Sequence, residues 1–330
     1  MIVSTAALQV NAQDVSKMME TAQAYSKKGD FTNALLVLNK ANKTKPGDLD
    51  IQKELAYTYY RAGNYKEAVP IAQALVNRQD ADVQSFQIAG NIYKALGDPK
   101  EFEKAYRTAL KKYPNSGALY FEYGEVMLTQ QQSNEAIKLW EKGIEVDPSY
   151  PGNYYHAGKY YYYTGTNPAL ALLYSEIFVN MESYTVRTAE MKNVLLDAYK
   201  NFFLQKPEPK SGKKNKQQLN FQQSVANVLM SQADVASNGI TPETLTMIRS
   251  RFVLNWYDKL GTKYPYKLFD QMQFLLREGM FEAYNQWLFG PVTDMSQYQR
   301  WANTNSQKVN EFAYFQKNRV FKMPPGQFYQ

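Results

Sequence analysis

Small, aromatic and polar positions recur along the first half of the chain at a fixed step of 34 residues. Stepping from Ala22 gives Ala56, Gly90, Gly124 and Gly158; stepping from Tyr25 gives Tyr59, Tyr93, Met127 and Tyr161. The step from Gly29 gives Gly63, Gly97, Gln131 and Gly165, and that from Ala34 gives Ala68, Phe102, Ala136 and Leu170. Pro46 leads to Asp80, Pro114 and Pro148. A period of this length marks stacked helical hairpins, and the register holds through residues 15–184 with no insertion. Small residues belong where the two helices of a hairpin approach closely, since a larger side chain would push them apart. The tyrosines lie three residues further on, on the same helical face, and are expected to fill the core between units. The glycines fall where a first helix must end in a left-handed turn, and the prolines stop the second helix. One such unit cannot bury its own apolar face, but five stacked units share a continuous core.

The pattern then changes. Residues 185–204 read as an amphipathic helix, with Met191, Leu195, Ala198 and Phe202 at helical spacing, and are expected to cap the array. Residues 205–217, containing "KPEPKSGKKNK", read as a linker rich in lysine and proline. Residues 218–330 read as a helical domain or as divergent repeats. Thr241, Pro242 and Glu243 form a helix-start signal, a helical hairpin is expected to turn at Gly279, and a last helix is expected over residues 295–318.

The order of small, aromatic, glycine, alanine and proline landmarks, in stretches such as "AQAYSKKGDFTNALLVLNKANKTKP" and "LAYTYYRAGNYKEAVPIAQAL", resembles the tetratricopeptide repeat. The resemblance is closest over residues 15–150 and extends to 184, with departures at Pro99, Phe102, Gln131, Ser133 and Leu170. It implies an all-α superhelical solenoid of five repeats plus a capping helix, followed by a C-terminal helical region. It also implies a concave face, lined by first helices, that binds extended peptides or partner helices. Carried across, the groove positions are Met19, Gln23 and Ser26; Lys53, Tyr57 and Tyr60; Gln87, Asn91 and Lys94; Phe121, Glu125 and Leu128; and Tyr155, Lys159 and Tyr162. Of these, Gln23, Lys53, Tyr57, Tyr60, Asn91, Lys94, Phe121, Tyr155, Lys159 and Tyr162 are the expected partner contacts. The lysine and asparagine clamp that some family members use for a terminal carboxylate is not reproduced.

Composition narrows the function. Residues 151–165 hold six of the 27 tyrosines and the only histidine, His156. On the repeat register this is one helix, with Tyr154 and Tyr161 assigned to the core and Tyr155 and Tyr162 to the groove. A chain with no cysteine and one histidine has no thiol chemistry and no ordinary zinc site. No phosphate-cradling glycine motif occurs, so an enzyme, a cofactor and a metal are not expected. The net charge of +7 comes from residues 204–330, with 16 basic against 9 acidic residues; residues 1–203 hold 22 of each. Five of those lysines sit in the linker without interleaved aromatics, an arrangement that does not point to nucleic acid. No apolar run is long enough to span a bilayer.

Residues 1–13 are apolar and uncharged apart from termini, and Val10-Asn11-Ala12 suits a signal peptidase. With the absence of cysteine, this reads as the remnant of a bacterial secretory signal, placing the protein in the periplasm or cell envelope, with the cytoplasm as alternative. The expected function is a non-enzymatic scaffold for a protein or peptide partner. The alternative is a nutrient- or glycan-binding protein using the tyrosine-rich face.

Overall fold

The computed structural model describes residues 3–204 and 219–329. The 205–217 linker lies outside them, and residues 3–13 of the expected leader enter as backbone of the first helix. Every regular element among the described residues is a helix, eighteen in all. They fall into two compact units, one reaching Gln131 and one beginning at Gln132.

The first unit is a run of antiparallel hairpins: α1 (Val3–Lys27) with α2 (Phe31–Thr44), α3 (Leu49–Arg61) with α4 (Tyr65–Val76), and α5 (Val83–Leu96) with α6 (Pro99–Lys112). They are followed by α7 (Gly117–Thr129), which packs on α6 and α5. The small positions sit at the hairpin crossings: Ala22 and Ala56 are fully buried. A Cβ on Gly90 would lie 2.6 Å from the Tyr106 ring of α6, so only glycine permits this approach. Gly29, Gly63 and Gly97 end first helices at φ of +79°, +72° and +65°. In each turn an amide reaches back five residues to the aromatic column, Asp30 to Tyr25, Asn64 to Tyr59 and Asp98 to Tyr93, the closure expected of a left-handed helix end. Asp30, Asp48, Asp82 and Asp98 then cap α2, α3, α5 and α6 through their carboxylates, satisfying amide donors that a helix start leaves open.

The second unit begins with α8 (Ser133–Val146), α9 (Pro151–Thr164) and α10 (Pro168–Met181). Here the uninterrupted register needs correcting. Second helices start at residues 31, 65, 99 and 133, but α10 starts at 168, one residue later than the period requires. Its cap is Asn167, and the residue four beyond the cap is Ala171, whose amide bonds to Asn167 as Ala34, Ala68 and Ala136 bond to their caps. The turn after Gly165 therefore holds one extra residue, and Ala171, which is buried, takes the alanine position assigned to Leu170.

α11 (Val186–Leu204) packs on α10 and α9 as α5 packs on α4 and α3. The remaining helices are α12 (Phe221–Met230), α13 (Ala233–Ala236), α14 (Pro242–Lys259), α15 (Lys267–Arg277), α16 (Phe281–Thr293), α17 (Met295–Thr304) and α18 (Ser306–Lys317). α12 packs on α10, and α16 on both α11 and α14. The α15–α16 turn repeats the earlier closure: Gly279 has φ +72° and the Met280 amide bonds to Leu275. The small positions at that crossing are replaced, with Met272 and Tyr284 buried there instead. A buried polar network joins these helices. Arg249 of α14, 1% exposed, pairs with Glu176 of α10 and bonds to Asn285 of α16. Tyr284 donates to Glu176 at 2.6 Å, and Asn180 donates to Tyr284 at 2.7 Å while accepting from Gln271 and Arg319.

Candidate functional site

Repetition of one sequence unit places the same helical face of α1, α3 and α5 along one side of the first unit, where it walls an open groove of about 780 Å³. α1 contributes Val15, Ser16, Met19 and Gln23; α3 contributes Asp50, Lys53, Glu54 and Tyr57; α5 contributes Gln84, Gln87, Ile88 and Asn91. Glu122 of α7 and the loop residues Lys45 and Asp48 complete it. Of the expected contacts, Gln23, Lys53, Tyr57 and Asn91 thus share one cavity, together with the groove positions Met19 and Gln87. Tyr60, Lys94 and Phe121 lie in the same unit outside this lining. Tyr60 rests against Tyr57 and Tyr65, with ring centroids 6.1 and 6.3 Å apart, Lys94 is exposed, and Phe121 is half-buried.

The charges of the groove are unevenly paired. Lys53, 7% exposed, is held by Asp50 at 2.9 Å and by Asp82, the cap of α5, at 2.7 Å. Its amine therefore ties α3 to the start of α5 within the groove wall. Lys45 is paired with Asp48 at 2.6 Å. Glu54 is half-buried, and burial pushes its carboxyl above the usual range, eased only by a hydrogen bond from the Gln23 side chain. Glu122 accepts from Gln87 Nε2 at 2.7 Å and from the Tyr106 hydroxyl. Both carboxylates thus have uncharged donors, while both lysines are committed to aspartates. The Asn91 amide and the Tyr57 hydroxyl have no hydrogen-bond partner among the described residues and face the cavity as open contacts.

Glu54 and Glu122 were not among the sequence-derived positions, yet the same 34-residue step finds them. One residue beyond the Lys53 column it gives Glu54, Ile88, Glu122 and His156.

In the second unit, Tyr155, Lys159 and Tyr162 stand on α9. Tyr155 is buried against Phe178, centroids 5.1 Å apart, and its hydroxyl donates to Glu190 of α11 at 2.5 Å. Lys159 pairs with the same carboxylate at 2.5 Å and lies 4.8 Å over the Tyr155 ring. Arg187 covers the Tyr155 and Phe178 rings and pairs with Glu182. Tyr155 and Lys159 therefore fasten α9 to α11. Tyr154 is buried, Tyr160 donates to Asn134 at 2.9 Å and Tyr161 to Glu141 at 2.6 Å, both acceptors on α8. Tyr162 is half-buried beside Tyr163, which is 70% exposed. His156 stacks on Trp140 at 4.7 Å. The hydroxyls of this tyrosine-rich helix are thus largely spent on neighbouring helices. Among the described residues no three acidic or histidine side chains converge as a metal site, and no helix is long and apolar enough to cross a membrane.

Two family models, each described as tetratricopeptide repeat, match residues 26–88 and 89–154. Tetratricopeptide repeat protein 21B of Homo sapiens is 22% identical over 134 residues, which cover 41% of this chain and 10% of that protein. Protein O-mannosyl-transferase TMTC2 of Homo sapiens is 28% identical over 98 residues, covering 29% of this chain and 12% of that protein. The matches span about a tenth of the length of these curated relatives. A solved tetratricopeptide repeat protein from Parabacteroides merdae ATCC 43184 superposes with a TM-score of 0.44 at 14% identity, covering 79% of this chain and 97% of its own.

Proposed function

Because residues 26–154 are tetratricopeptide repeats, we propose that this protein is a non-enzymatic scaffold holding a protein or peptide partner in the groove of its first unit. The observation that supports this most is the shared cavity of about 780 Å³, to which three successive first helices contribute equivalent side chains. Its walls are helices locked by capped turns and by the Lys53–Asp82 tie, so the surface is formed before the partner arrives and little ordering entropy is lost on binding. Tyr57 supplies a rigid aromatic anchor, Met19 an adaptable apolar contact, and Asn91 an amide able to bond a partner's backbone.

The test places a photo-crosslinking amino acid at Asn91 and, separately, at Leu36, which is 70% exposed on α2. The expected result is one protein species crosslinked from Asn91 and lost on Tyr57→Ala, with none from Leu36. Equal capture at both positions, or capture indifferent to Tyr57, sinks the reading.

We further propose export to the periplasm or cell envelope, supported by the apolar residues 1–13 and the absence of cysteine. A phosphatase that needs disulfides, fused to the C-terminus and expressed with the natural upstream sequence, is expected to be active; an inactive fusion refutes export.

A further inference from the structure

The groove carries more negative charge than its surroundings account for. The first unit, taken to residue 131, has 16 basic and 14 acidic residues, an excess of positive charge. The groove lining reverses this sign, with Asp48, Asp50, Glu54 and Glu122 against Lys45 and Lys53. Both lysines are bound to aspartates, whereas Glu54 and Glu122 are bonded only by Gln23, Gln87 and Tyr106. A partly desolvated carboxylate with only neutral donors loses hydration without gaining a counter-charge. A cation placed against it recovers that loss, and an anion is repelled by a groove with no uncommitted ammonium.

We propose that the groove selects peptide segments carrying a basic side chain, which pairs with the Glu54 and Glu122 carboxylates while apolar neighbours of that residue pack on Tyr57 and Ile88. Arginine fits better than lysine, because its planar fork can engage a carboxylate through two parallel hydrogen bonds. This rests on the groove-binding reading and adds the chemistry of the occupant. Lys53, the one lysine these helices contribute to the groove lining, tightens the acidic site by neutralising Asp50 and Asp82 rather than by meeting a partner's carboxylate.

The experiment uses the full chain and a positional-scanning library of fluorescein-labelled peptides about twelve residues long, read by fluorescence anisotropy. The expected outcome is preference for Arg or Lys at one or two positions, with Asp and Glu depleted there. Glu54→Gln and Glu122→Gln, which keep size and hydrogen-bonding capacity, should each weaken the selected peptide about five- to tenfold and flatten the preference. Tyr57→Ala should weaken basic and neutral peptides alike, and added salt should erode only the charge-dependent part. Peptide binding that needs Tyr57 but shows no basic preference, or is unchanged in both Gln variants, overturns this inference and leaves groove binding standing. Absence of any Tyr57-dependent binding overturns groove binding, and this inference with it. Unchanged thermal unfolding of the Gln variants assigns their loss to binding rather than folding.

Discussion

Gln131 occupies a backbone conformation that its counterparts reach only by having no side chain. Its φ is +61°, and among the described residues it is the one non-glycine with positive φ, at the register position of Gly29, Gly63, Gly97 and Gly165. A left-handed residue with a Cβ costs about 1–2 kcal/mol, partly offset by the greater entropy glycine loses on folding. Gln131→Gly is therefore expected to raise stability by about 0.5–1 kcal/mol, and Gly97→Gln to lower it by about 1 kcal/mol or more, both read from urea denaturation midpoints. The departure was visible in the sequence as a gap in the glycine column. That the turn forms regardless was not, because repeat packing on either side of a position can override its local preference.

Lys192 lies beyond what periodicity could reveal. It is 8% exposed on α11, donates to the Trp287 carbonyl at 2.8 Å and sits 3.8 Å over the Trp287 ring. Burial pushes its ammonium down to about 7 from 10.5, while the carbonyl and ring face favour the charged form. Between these two values the unfolded chain binds more protons than the folded one, so this group makes stability rise with pH from about 7 towards 10. Lys192→Met is expected to be the more stable protein at pH 7, by on the order of 1 kcal/mol, with the advantage shrinking as pH approaches about 10. Denaturation at stepped pH checks this; a constant difference means that Trp287 keeps the ammonium charged.

At the scale of elements, the 34-residue step carried the hairpins, their turns and most of the groove, because each landmark has one steric or conformational cause repeated in every unit. It failed by one residue after Gly165, where an inserted turn residue left the alanine column looking broken at Leu170, with Ala171 the true occupant. The expected groove positions stopped short of Glu54 and Glu122, although the step itself reaches them. They belong to a column beside those that the family resemblance supplied, and their exposure depends on how neighbouring helices are rotated. Gly90 shows how narrowly the packing is set. A methyl there would press on Tyr106, a fully buried ring stacked 4.1 Å from Phe102 with its hydroxyl on Glu122. The ring has no space to retreat, so Gly90→Ala is expected to destabilise by about 1–3 kcal/mol. Thermal unfolding tests this, and a neutral result would mean that α5 and α6 part without cost.

At the scale of the whole molecule, the charge excess of residues 204–330 and the helical pattern of residues 218–330 were legible, but the means of holding those helices was not. A sequence containing Glu176 amid an apolar stretch and Arg249 on an amphipathic helix gives no sign that the two meet. In the structure both are at most 2% exposed, joined across α10 and α14 and bridged to α16 by Tyr284 and Asn285. Removing one partner of such a pair strands the other in a medium that solvates it poorly, so Arg249→Met is expected to cost about 3–5 kcal/mol at neutral pH. The stranded Glu176 would then bind its proton more tightly folded than unfolded. The penalty should be smallest below the usual glutamate range and grow as pH rises through it. Adding Glu176→Gln removes the stranded charge, so the double variant should lose clearly less stability than the two single losses together. Urea unfolding of the four proteins at two pH values measures that coupling. Additive losses with no pH dependence would show that packing of the side chains, and not their charge, holds α14 to α10.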